Sequence, residues 1–388
     1  MKNNHEIVTV NLPIEIITEI LLRLPAKSLV RYTCVSKSWL FLISRSYKFA
    51  KAHVKILIEK NACIHQKLIF GSRNLPLDMY TCSIQSIINV SNLVVYPTTN
   101  DCSLFDRVVF DHPFAETAGR ISLVGSCNGL VCMNLPPNII VMWNPTTRKS
   151  KELPNSDVDM IFECYDFGYG FGYDELHDDY KVVEFRNRRV PGVHETRVKI
   201  FSLRTNSWKT LSSNWPGRGG NTFGETGTFL NGAVHWSVCD FNKPVEWVIV
   251  SLDLATDTFT ELSVPKLDHY YITLEVRILQ GCLALYREHT VYMDVWVMKE
   301  YGVTESWNKV FRIPIPPDFS DIHRFVRPRP LYLWADGKIL MDYGSSLKMY
   351  DSTNPRPHHF DSDSILAAIT YVESIVPLTF DEEEFNNS

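Results

Sequence analysis

The chain has 388 residues, 45% of them hydrophobic and 21% charged, which excludes a disordered chain and leaves room for two or three domains, or one small and one large. A net charge of −5 and a pI near 6.2 supply no global positive field, so neither nucleic acid nor an anionic membrane is an expected partner. No run approaches the 18 apolar residues of a membrane span, and the polar stretch Met1–Val10 predicts no signal peptide.

The nine cysteines are scattered and none forms CxxC, so neither a structural zinc nor a redox pair is expected. An odd number without a secretory signal fits a reducing compartment, and a cytoplasmic or nuclear location is the expectation.

Leu12 to Trp39 reads as short helices crowded with aliphatic side chains. Pro13 and Pro25 suit first helical positions, where a missing N–H costs nothing. Ile14, Ile17, Leu21 and Leu24 recur at helical spacing, with Ile16 and Ile20 beside them, so the apolar face is wider than one seam. Leu29 and Val30 give a second helix its apolar side, and Lys37-Ser38-Trp39-Leu40 begins a third. A unit of about 40 residues sits at the lower limit of independent stability. Its apolar surface is covered either by the rest of this chain or by another protein.

After Trp39 the helical signal fades, and the bursts Val54–Ile58 and Lys67–Phe70 read as strands. Ile84–Val95 and Leu104–Phe110 read as further strands, and residues 71–118 are the least legible part. From residue 119 a repeat emerges. Its first half is a turn glycine before an apolar strand, at Gly129, Gly232, Gly281 and Gly337. Its second half is a strand, a polar turn and an aromatic, as in Val198–Leu203 before Trp208 and Ile249–Leu254 before Phe259. Trp208, Phe259 and Trp307 lie 51 and 48 residues apart. A period near 50 with several strands per unit is the mark of a kelch-like propeller, here of roughly six or seven blades. The run from Ile369 to Leu378 is placed to close the ring against an early strand.

Several constellations invite a chemical reading. Gly168-Tyr169-Gly170-Phe171-Gly172 brushes against a phosphate loop but lacks the strand-to-helix setting, and reads as a tight strand turn. Asp174, Glu175, Asp178 and Asp179 lack calcium-loop spacing and read as a solvated charged loop. His235 and His269 have no partner fixed by spacing, and His358-His359 reads as a loop. Trp143, Phe201, Trp208, Phe259 and Trp307, one per blade, read as core between blades rather than as a sugar platform. Two basic runs, Arg186–Arg189 and Arg324–Pro330, read as loops on a propeller face. Arginine suits carboxylate recognition, so Arg186, Arg188, Arg189, Arg324, Arg327 and Arg329 are the candidate substrate contacts.

Two stretches resemble known families. The pattern LPxEI…EIL.RLPAKSLVR…VSKSW, from Leu12 to Trp39, resembles the F-box. That resemblance implies a module docking on a Skp-type adaptor and, through it, on a cullin scaffold. The adaptor contacts it implies are Leu12, Pro13, Ile16, Ile20, Leu21, Leu24, Pro25, Leu29 and Val35, with Trp39 as internal core. GSCNGLVC at 125–132, VMWNPTTRKSKELP at 141–154, FGYGFGYDELHDDYKVV at 167–183, VKIFSLRTNSWKTL at 198–211 and YVESIV at 371–376 are similar to the F-box-associated interaction domain of plants.

The expected architecture is therefore multidomain, α plus all-β. A three-helix F-box at 7–53 precedes the poorly legible first strands at 54–118. A kelch-like β-propeller follows at 119–380, with an acidic polar tail at 381–388. The expected function is substrate recognition in an SCF-type cullin-RING ubiquitin ligase, with the propeller holding an unidentified target protein. No catalysis, cofactor or metal is expected of the chain itself. The competing readings are a kelch-like propeller enzyme or lectin with a helical appendage, and an F-box scaffold outside any ligase.

Overall fold

The computed structural model describes residues 12–72, 79–91, 108–110, 121–156, 164–190, 193–211, 221–239, 247–265, 273–289, 291–315, 328–343, 347–351, 354–360 and 365–379. Of these, residues 59–65, 72, 88–91, 108–110, 164–166, 188–190, 193–195, 221–225, 273, 354–360 and 365–367 are described in backbone alone.

Four helices open the chain: α1 (Ile14–Leu21), α2 (Ala26–Tyr32), α3 (Lys37–Ser44) and α4 (Tyr47–His65). Pro13 and Pro25 stand immediately before α1 and α2 in extended conformation. Ser36 caps α3 by accepting from the Trp39 N–H at 3.1 Å, and Ser46 caps α4 by accepting from Phe49 N–H at 3.3 Å. The helical signal does not end after Trp39. Val54–Ile58 lies inside α4, not in a strand, because Phe49, Ala50, His53, Val54 and Leu57 recur at helical spacing and are the buried positions. A fifth helix, α5 (Ile84–Ser91), likewise replaces the strands expected there.

Among the described residues the rest is six four-stranded antiparallel blades arranged as a ring. Blade 1 holds β1 (Gln66–Ser72), β2 (Met79–Ser83) and β3 (Val108–Phe110). Blade 2 is β4 (Ser122–Cys127), β5 (Leu130–Leu135), β6 (Ile139–Asn144) and β7 (Lys149–Glu152). Blade 3 is β8 (Cys164–Asp174), β9 (Asp179–Val190), β10 (Val193–Ser202) and β11 (Ser207–Leu211). Blade 4 is β12 (Asn221–Leu230), β13 (Ala233–Cys239), β14 (Trp247–Asp253) and β15 (Phe259–Ser263). Blade 5 is β16 (Thr273–Leu279), β17 (Cys282–Glu288), β18 (Tyr292–Met298) and β19 (Trp307–Pro314). Blade 6 is β20 (Arg329–Leu333), β21 (Lys338–Asp342), β22 (Leu347–Asp351) and β23 (Asn354–Phe360). The final strand, β24 (Ile365–Val372), returns to blade 1 and pairs antiparallel with β1, with Ile369 opposite Ile69. The ring closes as expected, and an open edge is removed. Strand pairing ends at Val372, and Glu373–Leu378 continues as a strap.

Each interface between neighbouring blades holds one apolar cluster. Blades 1 and 2 share Ile69, Val131 and Trp143, and blades 3 and 4 share Phe185, Val198 and Trp236. Blades 4 and 5 share Trp247, Leu285 and Trp307, and blades 5 and 6 share Tyr286, Ile339 and Tyr343. Ile84 and Ile87 of α5 enter the cluster between blades 6 and 1. The expected aromatic stripe lies in these interfaces. The indole N–H of Trp208 donates to the Pro154 carbonyl at 2.7 Å, and that of Trp307 to Ser263 at 3.1 Å, so each ties its outer strand to the end of the preceding blade.

Gly170 and Gly172 are not turn residues. They lie in β8, the innermost strand of blade 3, where a Cβ on Gly170 would sit 2.6 Å from Val234 and 2.7 Å from Trp236, and one on Gly172 would overlap Phe229. Glycine is required there for the close approach of blade 4.

Candidate functional site

The helical module is joined to the ring through the interface of blades 2 and 3. Leu21, Leu22, Ala26, Leu29, Ile43, Phe49, Ala50 and Val54 share a single apolar cluster with Cys127, Leu130, Tyr173, Tyr180, Ile375, Val376 and Leu378. The strap is thus sandwiched between helices and propeller. The Asn144 side chain donates to the Ser374 carbonyl at 3.1 Å and to Val376 at 2.8 Å, while its own carbonyl oxygen caps the turn at Thr146 and Thr147. Glu373 receives Lys27 at 3.1 Å and Lys67 at 2.6 Å, bridging α2 and β1.

A polar brace completes the joint. The Tyr47 hydroxyl and the Lys51 ammonium of α4 each donate to Asp178 at 3.0 Å, and Tyr173 donates to the same carboxylate. Burial holds the Tyr47 and Tyr173 hydroxyls well above the usual phenol range, so both stay protonated donors. Of the carboxylates in the acidic stretch Glu175 alone is exposed, and the other three are engaged. Asp174 is buried, with Lys181 at 2.7 Å, and accepts from the Leu176 and His177 N–H groups. Burial raises the Asp179 carboxyl above its ordinary value; it accepts from the Ser202 hydroxyl and the Arg204 N–H.

This joint divides the nine residues expected to meet an adaptor. Leu12, Pro13, Ile16, Ile20, Pro25 and Val35 are exposed, and Leu24 is half-buried. Leu21 and Leu29 are fully buried in the apolar cluster that the helices share with the ring and are corrected to internal residues. The helix explains the division. Ile17, Leu21 and Leu24 form one stripe turned to the propeller, and Ile16 and Ile20 a second turned outward. Trp39 packs edge-on against Tyr32 at 6.0 Å and abuts the same core. Ile14, Leu40 and Phe41 are also exposed, at 49, 46 and 56%. Their signal was the apolar excess of α1 and α3 beyond one buried stripe. Several large apolar groups are thus left in water over three short helices, a patch of the kind that marks interaction surfaces.

The substrate candidates fare differently. Arg186, Arg188 and Arg189 are in strand β9, not in a loop, because β9 and β10 continue to a hairpin with Val190 opposite Val193. Arg186 is engaged internally, its Nε donating to Glu184 at 2.7 Å. The side chains of Arg188 and Arg189, and Arg324 and Arg327 entirely, lie outside the described residues. Arg329 opens β20 and lines the central channel. His235 is buried between the Thr228 carbonyl at 3.1 Å and the Tyr301 hydroxyl at 2.8 Å, and burial lowers it to about 4, so it is neutral scaffold. His269 lies outside the described residues, and His358-His359 is in strand β23, not a loop. Among the described residues no His, Cys, Asp and Glu cluster suits a metal, and no helix is long and apolar enough to cross a membrane.

The two faces of the ring differ. The turns following each innermost strand, at Asn128-Gly129, Leu176–Asp178, Asn231-Gly232, Gln280-Gly281 and Asp336-Gly337, are tight, and the helices dock on this face. The first residues of the innermost strands, and the paired ends Val190 and Val193 of β9 and β10, lie at the other.

Residues 10–51 match the F-box domain, and residues 79–376 the F-box associated beta propeller domain. An F-box/kelch-repeat protein of Arabidopsis thaliana is 34% identical over 361 residues, 92% of each chain. The F-box protein CPR1 of Arabidopsis thaliana is 29% identical, covering 85% of this chain and 79% of that one. Among solved structures, the Dos1 propeller superposes with a TM-score of 0.37 at 12% identity, over 77% of this chain and 71% of that one. The blade count rests on the strand pairing above.

Proposed function

Because the chain belongs to the F-box proteins that carry an F-box-associated β-propeller, we propose that it is the substrate-recognition subunit of an SCF-type cullin-RING ubiquitin ligase. In this reading α1–α3 dock on a Skp-type adaptor, the adaptor links to a cullin, and the ring recruits a target protein for ubiquitination. The chain makes and breaks no bonds; it contributes proximity between target and transfer machinery. It works in the cytoplasm or nucleus, which a fluorescent fusion of the full chain tests directly.

One observation carries the reading. The same short helices bury Leu21 and Leu29 in the cluster shared with the propeller while holding Leu12, Ile16, Ile20 and Val35 about half exposed. A module needed only for stability has no reason to keep a second apolar stripe in water, where each buried Leu or Ile is worth about 1.5–3 kcal/mol. The revised adaptor set is Leu12, Pro13, Ile16, Ile20, Leu24, Pro25 and Val35. The test is an Ile16→Asp, Ile20→Asp variant of the full chain. It is expected to lose at least ten-fold in adaptor co-purification while its circular dichroism and thermal midpoint stay near wild type. Undiminished capture by that folded variant removes the assigned surface.

A further inference from the structure

The innermost strands of all six blades enclose a central cavity of about 180 Å³. It is walled by β4, β8, β12, β16, β20 and β24, and most of that wall is aliphatic, aromatic or hydroxylated. Two charged side chains line it among the described residues, and both are guanidinium groups, Arg277 of β16 and Arg329 of β20. Among the described residues no carboxylate lines it. Glu275 and Asp342 are nearby, but neither reaches the cavity wall.

The two arginines differ in how they are held. Arg277 is fixed from behind, with one terminal nitrogen donating to the Val276 carbonyl at 2.9 Å and the other to Glu275 at 3.0 Å. Arg329 is the first residue of its strand, on the face away from the helical module, and its buried Nε–H has no hydrogen-bond partner. A buried charged donor left unsatisfied costs more than a neutral one, so the site is completed by an acceptor entering the channel. Glu275 already pairs Arg277 at 3.0 Å, so it is the charge of Arg329 in this narrow space that favours an anionic acceptor over water.

We propose that the channel receives one carboxylate, presented by an acidic side chain of the target, with Arg329 as the donor and Arg277 beside it. This deepens the target-binding reading of the ring and rests on it. The cavity accommodates a single side chain, so it acts as an anchor point. It also relocates specificity: of the basic runs visible in the sequence, one member, Arg329, joins a lone arginine from a different blade.

The experiment uses the full chain at constant ionic strength, with chloride exchanged for the probe. Probes are inorganic phosphate, a capped ten-residue Gly-Ser peptide with one central glutamate, and its glutamine counterpart. Expected are saturable rises in thermal midpoint with phosphate and the glutamate peptide, none with the glutamine peptide, and at least ten-fold weaker responses in Arg329→Gln. Because Asp342 is opposite Arg329 across the β20–β21 ladder, an Arg329→Gln, Asp342→Asn variant repeats the test without a stranded carboxylate. No response in wild type, or an undiminished one in both variants, overturns the proposal. A response to phosphate alone overturns its assignment to an acidic side chain. Adaptor capture is measured on the same preparations, and its loss sinks the ligase reading without touching the channel result.

Discussion

His235 shows how a residue that invites a catalytic reading is instead part of the scaffold. It is buried, its two ring nitrogens face Thr228 and Tyr301, and desolvation lowers it to about 4. Between pH 6.5 and 4 the unfolded chain binds a proton that the folded chain refuses. Its contribution to stability is therefore full above 6.5 and lost progressively as pH falls towards 4. At pH 5 the loss is about 2 kcal/mol. Urea titrations of wild type and His235→Gln at pH 7 and 5 are expected to show a shallower decline in the variant, and identical declines would refute the assignment. Gly129 makes the matching case for the backbone. It has φ +84°, and an added Cβ would lie 2.5 Å from Ser374 Cβ. Gly129→Ala is expected to cost at least about 1 kcal/mol and to raise hydrogen exchange in residues 374–378 and in α1–α3, leaving blade 5 unchanged. A uniform rise over the whole ring would show that Gly129 serves the blades and not the strap.

Elements were legible where local pattern and tertiary packing agree. The turn glycines and the outer-strand aromatics announced the blades because every blade repeats the same packing problem. α4 and α5 were hidden because β-branched residues such as Val54, Ile56 and Ile58 also suit strands, and neighbouring Ala50, His53 and Leu57 settle the outcome only by burial in the fold. α1 presented the converse difficulty. Its spacing is plainly helical, but a helix apolar on two sides does not say which side faces its own chain. The two stripes make opposite predictions. Leu29→Ala is expected to destabilise by about 2–5 kcal/mol while the folded fraction still captures adaptor. Ile20→Asp is expected to change stability little and to abolish capture. Urea midpoints read beside co-purification decide the matter, and similar behaviour of both variants would dissolve the division between stripes.

For the whole molecule, the consequence is a fixed distance between the adaptor-facing helices and the opposite face of the ring. The helical module is not carried on a loose linker: α4 leads directly into β1, Tyr47 and Lys51 grip Asp178, and the strap locks the helices over blades 2 and 3. Under the proposed ligase role fixed placement matters, since a tethered target samples a far larger volume than a rigidly presented one. Ending the chain after Val372 separates these functions. The ring remains closed, because β24 still pairs with β1. What is lost is the grip of Ile375, Val376 and Leu378 on the helices and the two hydrogen bonds from Asn144. In a reconstituted ligase this truncation is expected to keep adaptor and target affinities within about two-fold while slowing ubiquitin transfer several-fold, as binding is local to each face and transfer depends on their relation. Transfer at the wild-type rate, with hydrogen exchange confirming that α1–α3 have loosened, would mean that the machinery tolerates a mobile target and that the strap serves stability alone.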